Sequence, residues 1–149
     1  GTYTYADGTI YKGQFSENYF QGKGTMIWGE GEWEGDKYVG DFLKDERIGK
    51  GIYTSANGDR YVGEFLNGES HGKGTQTWNS GENKGDKYVG DWVNGERTGK
   101  GSYTWANGDK YTGAWLNNEL HGQGKYTWED GDSWNGIWVN GEQVKKNRI

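Results

Sequence analysis

Apolar and polar positions alternate along this chain with a period of two, and glycine interrupts the alternation at fixed places. In YVGEF (61–65), Tyr61, Gly63 and Phe65 are two residues apart and share one face of an extended strand. In GKGSYTW (99–105), Gly99, Gly101, Tyr103 and Trp105 share a face in the same way. The segments are joined by Asn67-Gly68, Asn94-Gly95 and Asn140-Gly141 on one side and by Asp7-Gly8, Asn57-Gly58, Asn107-Gly108 and Asp130-Gly131 on the other. Asn-Gly and Asp-Gly suit hairpin turns in which both central residues take positive φ. The pattern predicts an all-β, single-layer antiparallel meander of about twelve short strands, with no helix before residue 141. At ~4.8 Å per strand, such a ribbon is roughly 50–55 Å long.

The pattern is also a repeat. First halves read YKGQF (11–15), YVGDF (38–42), YVGEF (61–65), YVGDW (88–92), YTGAW (111–115) and WNGIW (134–138). Second halves read GKGTMIW (22–28), GKGIYTS (49–55), GKGTQTW (72–78), GKGSYTW (99–105) and GQGKYTW (122–128). Residues 1–141 therefore divide into a partial unit at 1–10, units starting at 11, 38, 61, 88 and 111, and a half unit from 134, with 142–149 as a tail. The starts are separated by 27, 23, 27 and 23 residues, so the true period is a 50-residue pair of units. The extra residues fall in two loops, 29–38 and 79–88. Arrays of this kind stack each unit on its neighbours alone and present extended surfaces.

Glycine weakens strands, so its fixed places need a cause. An aromatic ring lying flat over a neighbouring glycine supplies one, and lets the sheet curl with an aromatic-lined concave side. The opposite face pairs the residue before each Phe/Trp with the residue inside Gly-x-Gly: Gln14/Lys23, Asp41/Lys50, Glu64/Lys73, Asp91/Lys100 and Ala114/Gln123. This reads as a solvated outer face.

Composition narrows the function. The 149 residues are 30% hydrophobic but 16% aromatic, with Gly 29, no Cys, no Pro and a net charge of −5. Aromatics in register form a thin core where scattered ones would not. The acidic balance lacks the electrostatic footprint for nucleic acid and argues against anionic lipid, leaving Lys145, Lys146 and Arg148 as a local basic cluster. No apolar run approaches the ~20 residues that span a bilayer.

The frame Y-x-G-x-[FW]-x-N-G-x-x-x-G-x-G resembles the MORN repeat (membrane occupation and recognition nexus) over residues 1–141. The resemblance implies an elongated curled β-ribbon that binds proteins, often a peptide or helix in an aromatic groove. A cytoplasmic setting is expected, with attachment to a membrane or the cytoskeleton through a partner as a further option. The chain departs from the pattern at the two inserted loops and at Tyr19-Phe20.

Tyr61, Phe65, Trp78, Tyr88, Trp92, Tyr103, Trp105, Tyr111 and Trp115 are the expected lining of a partner groove, with Met26, Ser55 and Gln76 as the places where its character changes. Glu30, Glu32, Glu34 and Asp36 in the first loop, with Glu82 and Asp86 in the second, are expected rim contacts for a basic partner segment. Tyr19, Phe20 and Trp33 are aromatics that the repeat does not require. They either pack on one another and on preceding units or serve as partner hot spots.

His71 and His121 stand two units apart, roughly 19 Å at ~4.8 Å per strand, too far to share a metal, and are read as turn residues. The acidic loops lack the ligand order of a calcium loop, so no metal and no cofactor are expected. No nucleophile–base arrangement is present, and an enzyme is the least favoured reading. A non-catalytic scaffold for a peptide or amphipathic helix leads. A carbohydrate-stacking surface and phosphoinositide or anionic-lipid association remain alternatives. The start in mid-repeat suggests an excerpt of a larger protein. The last frame strand, 134–139, is expected to lack a partner, inviting self-association or a capping helix begun within 142–149.

Overall fold

The computed structural model describes residues 1–144 as a single open antiparallel sheet in which every strand pairs with the next in the chain. The strands are β1 (Thr2–Thr4), β2 (Ile10–Ser16), β3 (Tyr19–Ile27), β4 (Lys37–Leu43), β5 (Glu46–Thr54), β6 (Arg60–Leu66) and β7 (Glu69–Thr77). They continue as β8 (Lys87–Val93), β9 (Glu96–Thr104), β10 (Lys110–Leu116), β11 (Glu119–Thr127), β12 (Ser133–Val139) and β13 (Glu142–Gln143). No helix interrupts them among the described residues. The all-β meander read from the alternation is the observed fold.

Register follows from glycine. Gly13 faces Gly24, Gly24 faces Gly40, Gly40 faces Gly51, and the chain of facing glycines continues through Gly63, Gly74, Gly90, Gly101, Gly113 and Gly124 to Gly136. The frame tyrosines lie over this line. A Cβ on Gly24, Gly51, Gly74, Gly101 or Gly124 would collide with the ring of Tyr11, Tyr38, Tyr61, Tyr88 or Tyr111, so only glycine fits beneath each ring. Each phenol runs along its own strand, and its hydroxyl donates to the carbonyl three residues on, as from Tyr61 to Glu64 at 2.8 Å and from Tyr88 to Asp91 at 2.9 Å.

That carbonyl belongs to a bulge. The β6–β7 register slips between Gly63 and Phe65, and the β8–β9 register slips between Gly90 and Trp92. The second-strand glycines there, Gly72 and Gly99, take φ of 75° and 113°. A side chain at the bulge secures the slip: Glu64 accepts from the Lys73 N–H at 2.6 Å and Asp91 from the Lys100 N–H at 2.9 Å. This corrects the expected acid–lysine pairing within a unit. The lysine ammonium reaches instead to the next unit, Lys23 to Asp41 at 2.5 Å and Lys73 to Asp91, since those residues face each other directly across β3–β4 and β7–β8.

The turns divide into two kinds. Asn67-Gly68 and Asn94-Gly95 take positive φ at both residues as expected, and so do Glu17-Asn18, Lys44-Asp45 and Asn117-Asn118, where no glycine announced it. The Asp7-Gly8 type does not. There only glycine is left-handed, and Asp7 or Asn107 instead accepts a hydrogen bond from the N–H two residues on, at 2.8 and 2.9 Å. At the end of the sheet Asn140-Gly141 turns the chain back, and β13 pairs Gln143 with Trp138 and Glu142 with Val139. The expected unpaired edge at 134–139 is therefore covered in part, and the start of the tail is strand, not helix. The rest of the proposed capping helix, and the basic cluster at 145, 146 and 148, lie outside the described residues.

Candidate functional site

One face of the sheet is a continuous aromatic layer. Each frame tyrosine meets the Phe/Trp of its own unit and that of the next edge to face: Tyr61 stands 5.1 Å from Phe65 and 5.2 Å from Trp92, and Tyr88 stands 5.2 Å from both Trp92 and Trp115. The indole N–H groups of Trp92 and Trp115 donate to the Gly74 and Gly101 carbonyls at 3.2 Å.

This mutual cover alters the expected groove. Tyr61, Phe65, Tyr88, Trp92, Tyr103, Tyr111 and Trp115 are all buried, and form the core and not an open lining. A single-layer sheet has no other source of shelter, so successive rings cover one another. Trp78 and Trp105 alone of the expected lining are half-exposed, as are Trp28 and Tyr53 of the preceding unit pair.

The rim residues divide in the same way. Glu30, Glu32, Glu34 and Glu82 are exposed, as read from the sequence. Asp36 and Asp86 are buried staples between units. Asp86 accepts from the Tyr103 hydroxyl at 2.5 Å and from the Ala106 N–H at 2.8 Å; Asp36 accepts from the Tyr53 hydroxyl and from the Ala56 N–H at 2.8 Å. Burial and these carboxylates push the Tyr53 and Tyr103 hydroxyls far above the ordinary phenol range. Phe20 is core, stacked on Tyr11 with ring centroids 3.8 Å apart, while Tyr19 is exposed. Trp33 stands 55% exposed on the first long loop, where the second has Asn83. His71 and His121 lie within β7 and β11, correcting their reading as turn residues. The His71 ring accepts from the Asn94 N–H at 3.4 Å, clasping the next turn.

Two arginines are the residues that sequence reasoning missed. The Arg47 guanidinium lies 5.3 Å from the Trp28 ring, 5.8 Å from Tyr38, 5.4 Å from Tyr53 and 5.9 Å from Phe65. Arg97 repeats the arrangement with Trp78, Tyr88, Tyr103 and Trp115 at 5.6, 5.8, 5.4 and 5.1 Å. Burial lowers the pKa of both guanidinium groups. The signal was positional: both stand where Phe20 stands in the first unit, in the near-identical stretches ERIGKG and ERTGKG.

Two hollows open on the sheet, one on each face. On the aromatic face a hollow of about 400 Å³ lies among Trp33, Arg47, Ser55, Tyr61, Ser70 and Gln76. On the other face a hollow of about 860 Å³ follows the glycine line, walled by Val39, Ile52 and Val62 and by Lys23, Lys50 and Lys73. That hollow lies on the face turned away from the aromatics. No cluster of potential metal ligands occurs among the described residues.

A one-layer sheet of stacked hairpins, its core sheltered by neighbouring units and both faces open, defines a repeat array of the extended kind. A family model described as the MORN repeat matches residues 1–10, 11–32, 38–60, 61–82, 88–110 and 111–133. The chain belongs to the MORN-repeat family. No curated protein matches it.

Proposed function

We propose that this array is a non-catalytic scaffold that binds a peptide or helix of a protein partner along the half-open row of its aromatic face. One observation carries the reading: Trp33, exposed and additional to the repeat, lines one hollow with Trp28 and Tyr53 of the aromatic face, beside the acids of its own loop. Trp and Tyr dominate interface energetics, and Glu30, Glu32 and Glu34 favour a segment carrying Lys or Arg. The edge-to-face packing leaves few ring planes free for a sugar to stack on, which weighs against the carbohydrate alternative. A cytoplasmic location, reached through such a partner, is part of the same proposal. The hollow behind the glycine line supports a second reading, in which an extended segment lies on Val39, Ile52 and Val62.

Selection from a display library of random peptides on the immobilised chain tests both. Selected peptides are expected to lose about tenfold or more in affinity on Trp33→Ala and to keep it on Val62→Glu. The reverse outcome transfers the function to the opposite face, and a selection that yields no binders overturns the scaffold.

A further inference from the structure

The aromatic face is built from three filler positions, and around one tyrosine all three are truncated. The first position holds Phe20, Arg47, Ser70, Arg97 and Leu120; the second holds Met26, Tyr53, Gln76, Tyr103 and Tyr126; the third holds Trp28, Ser55, Trp78, Trp105 and Trp128. Ser55 comes from one unit and Ser70 and Gln76 from the next, yet all three line the 400 Å³ hollow above Tyr61. Elsewhere the chain fills the corresponding space with its own side chains. Phe20 stacks on Tyr11, and Arg97 covers Tyr88. The same loss shows at the staple: Asp109 accepts from the Tyr126 hydroxyl at 2.8 Å, whereas the equivalent unit has Gln76 in place of that tyrosine, and among the described residues the Asp59 carboxylate accepts from Asn57, Asn79 and Ser80.

We propose that this hollow receives one aromatic side chain, an indole foremost, from the partner segment. It would sit in the place that Trp28, Trp78, Trp105 and Trp128 occupy in the other units. The proposal rests on the scaffold reading above and names its anchor. The largest group missing is the indole at Ser55, and the surroundings suit a ring. Tyr61, Phe65 and the exposed Trp33 line it, and the Arg47 guanidinium already lies against the Trp28 and Phe65 rings there. Gln76 directs its Nε2 to the Thr77 carbonyl at 3.2 Å, leaving Oε1 to accept the indole N–H. An arginine anchor is disfavoured because it would meet Arg47 across the hollow. A concave site that is largely apolar, with a few convergent polar groups, is the usual form of a small-ligand subsite.

The test uses the intact chain and 5-fluoroindole, followed by fluorine NMR. Line broadening is expected with the parent and with Val62→Glu on the opposite face, and is expected to vanish in Ser55→Trp, which restores the array's own indole. Should Ser55→Trp misfold, Ser70→Leu and Gln76→Tyr fill the same space from its other walls and are expected to remove the broadening too. Probes that mimic other side chains, N-acetyl-leucinamide and N-acetyl-argininamide, are expected to compete weakly. Equal broadening in parent and filled variants, or none in the parent, overturns the proposal, as does stronger competition by the arginine probe. Display-selected peptides separate the two levels. If they bind through the aromatic face but Ser55→Trp leaves their affinity unchanged, the anchor is wrong and the scaffold stands. If 5-fluoroindole binds while the peptides depend on Val62, the hollow is real and the scaffold face is wrong. With both correct, replacing a peptide's single tryptophan by alanine costs roughly 30-fold in Kd.

Discussion

At the scale of single residues, the frame tyrosine carries three duties: its ring covers a glycine, its edge meets two other rings, and its hydroxyl satisfies a carbonyl at a bulge. Tyr88→Phe keeps the first two and removes the third. Leaving the Asp91 carbonyl unpaired costs about 1–3 kcal/mol, read as a lower midpoint in urea unfolding with an unchanged slope. Trp92→Ala removes a buried indole and its bond to the Gly74 carbonyl, and costs about 3–5 kcal/mol in the same measurement. Trp92 is therefore a stability residue, whereas Trp33, exposed on its loop, is the variant on which the proposed binding is tested. That distinction was not legible in the sequence. Both are tryptophans in an aromatic-rich repeat, and only the mutual cover of successive units shows which one is enclosed. Arg47 and Arg97 were hidden for a related reason: an arginine in a polar stretch reads as solvated, and its long apolar stem and flat guanidinium lie on rings that are distant in sequence.

At the scale of the hairpin, period-two alternation and the Asn-Gly turns made the strands and their order legible, because a hairpin is a local object. The finer register was not. The bulges at Gln14, Asp41, Glu64, Asp91 and Ala114 arise from a slip between strands, and nothing in a period-two pattern signals one. Pairing acid with lysine inside a unit was the natural reading of an unbulged ladder; the slip turns the carboxylate to a backbone N–H and frees the ammonium for the next unit. Glycine at the facing line is where local and cross-strand demands coincide. A Cβ on Gly90 would collide with the Gly101 Cα and stand 2.7 Å from the Tyr88 hydroxyl. Gly90→Val is expected to lower stability by at least about 1–3 kcal/mol, measured as a fall in Tm, whereas Val at the exposed Thr112 is expected to leave Tm nearly unchanged.

At the scale of the whole molecule, the array concentrates many buried phenols in one thin layer, and their ionisation is coupled to folding. Burial raises the Tyr38 and Tyr111 hydroxyls to about 12 from an ordinary 10.0, and Tyr61 and Tyr88 are raised as well. The folded state therefore holds these protons more tightly than the unfolded chain. The stabilisation is complete below pH 10 and is lost as pH rises from about 10 towards 12. Tm is expected to stay level through neutral pH and to fall across that window, in step with phenolate absorbance, and to fall less steeply in Tyr88→Phe. The six-fold family match and the two-unit period were legible at this scale, since repetition is visible in a sequence as repetition. Where the repeat breaks was visible also, at Ser55 and Gln76, but their convergence with Ser70 on one hollow needed the stacking of units in space.

The same stacking has a mechanical side. Every strand bonds only to its chain neighbours, and the two ends of the sheet are the two ends of the described chain. A pull applied to those ends acts across the strands, so it loads one ladder at a time and never shears several at once. The ribbon yields like a zip, releasing hairpins in sequence from whichever end is weaker, at low force and over a long extension. Tethered between two larger bodies, such a module behaves as a compliant spacer.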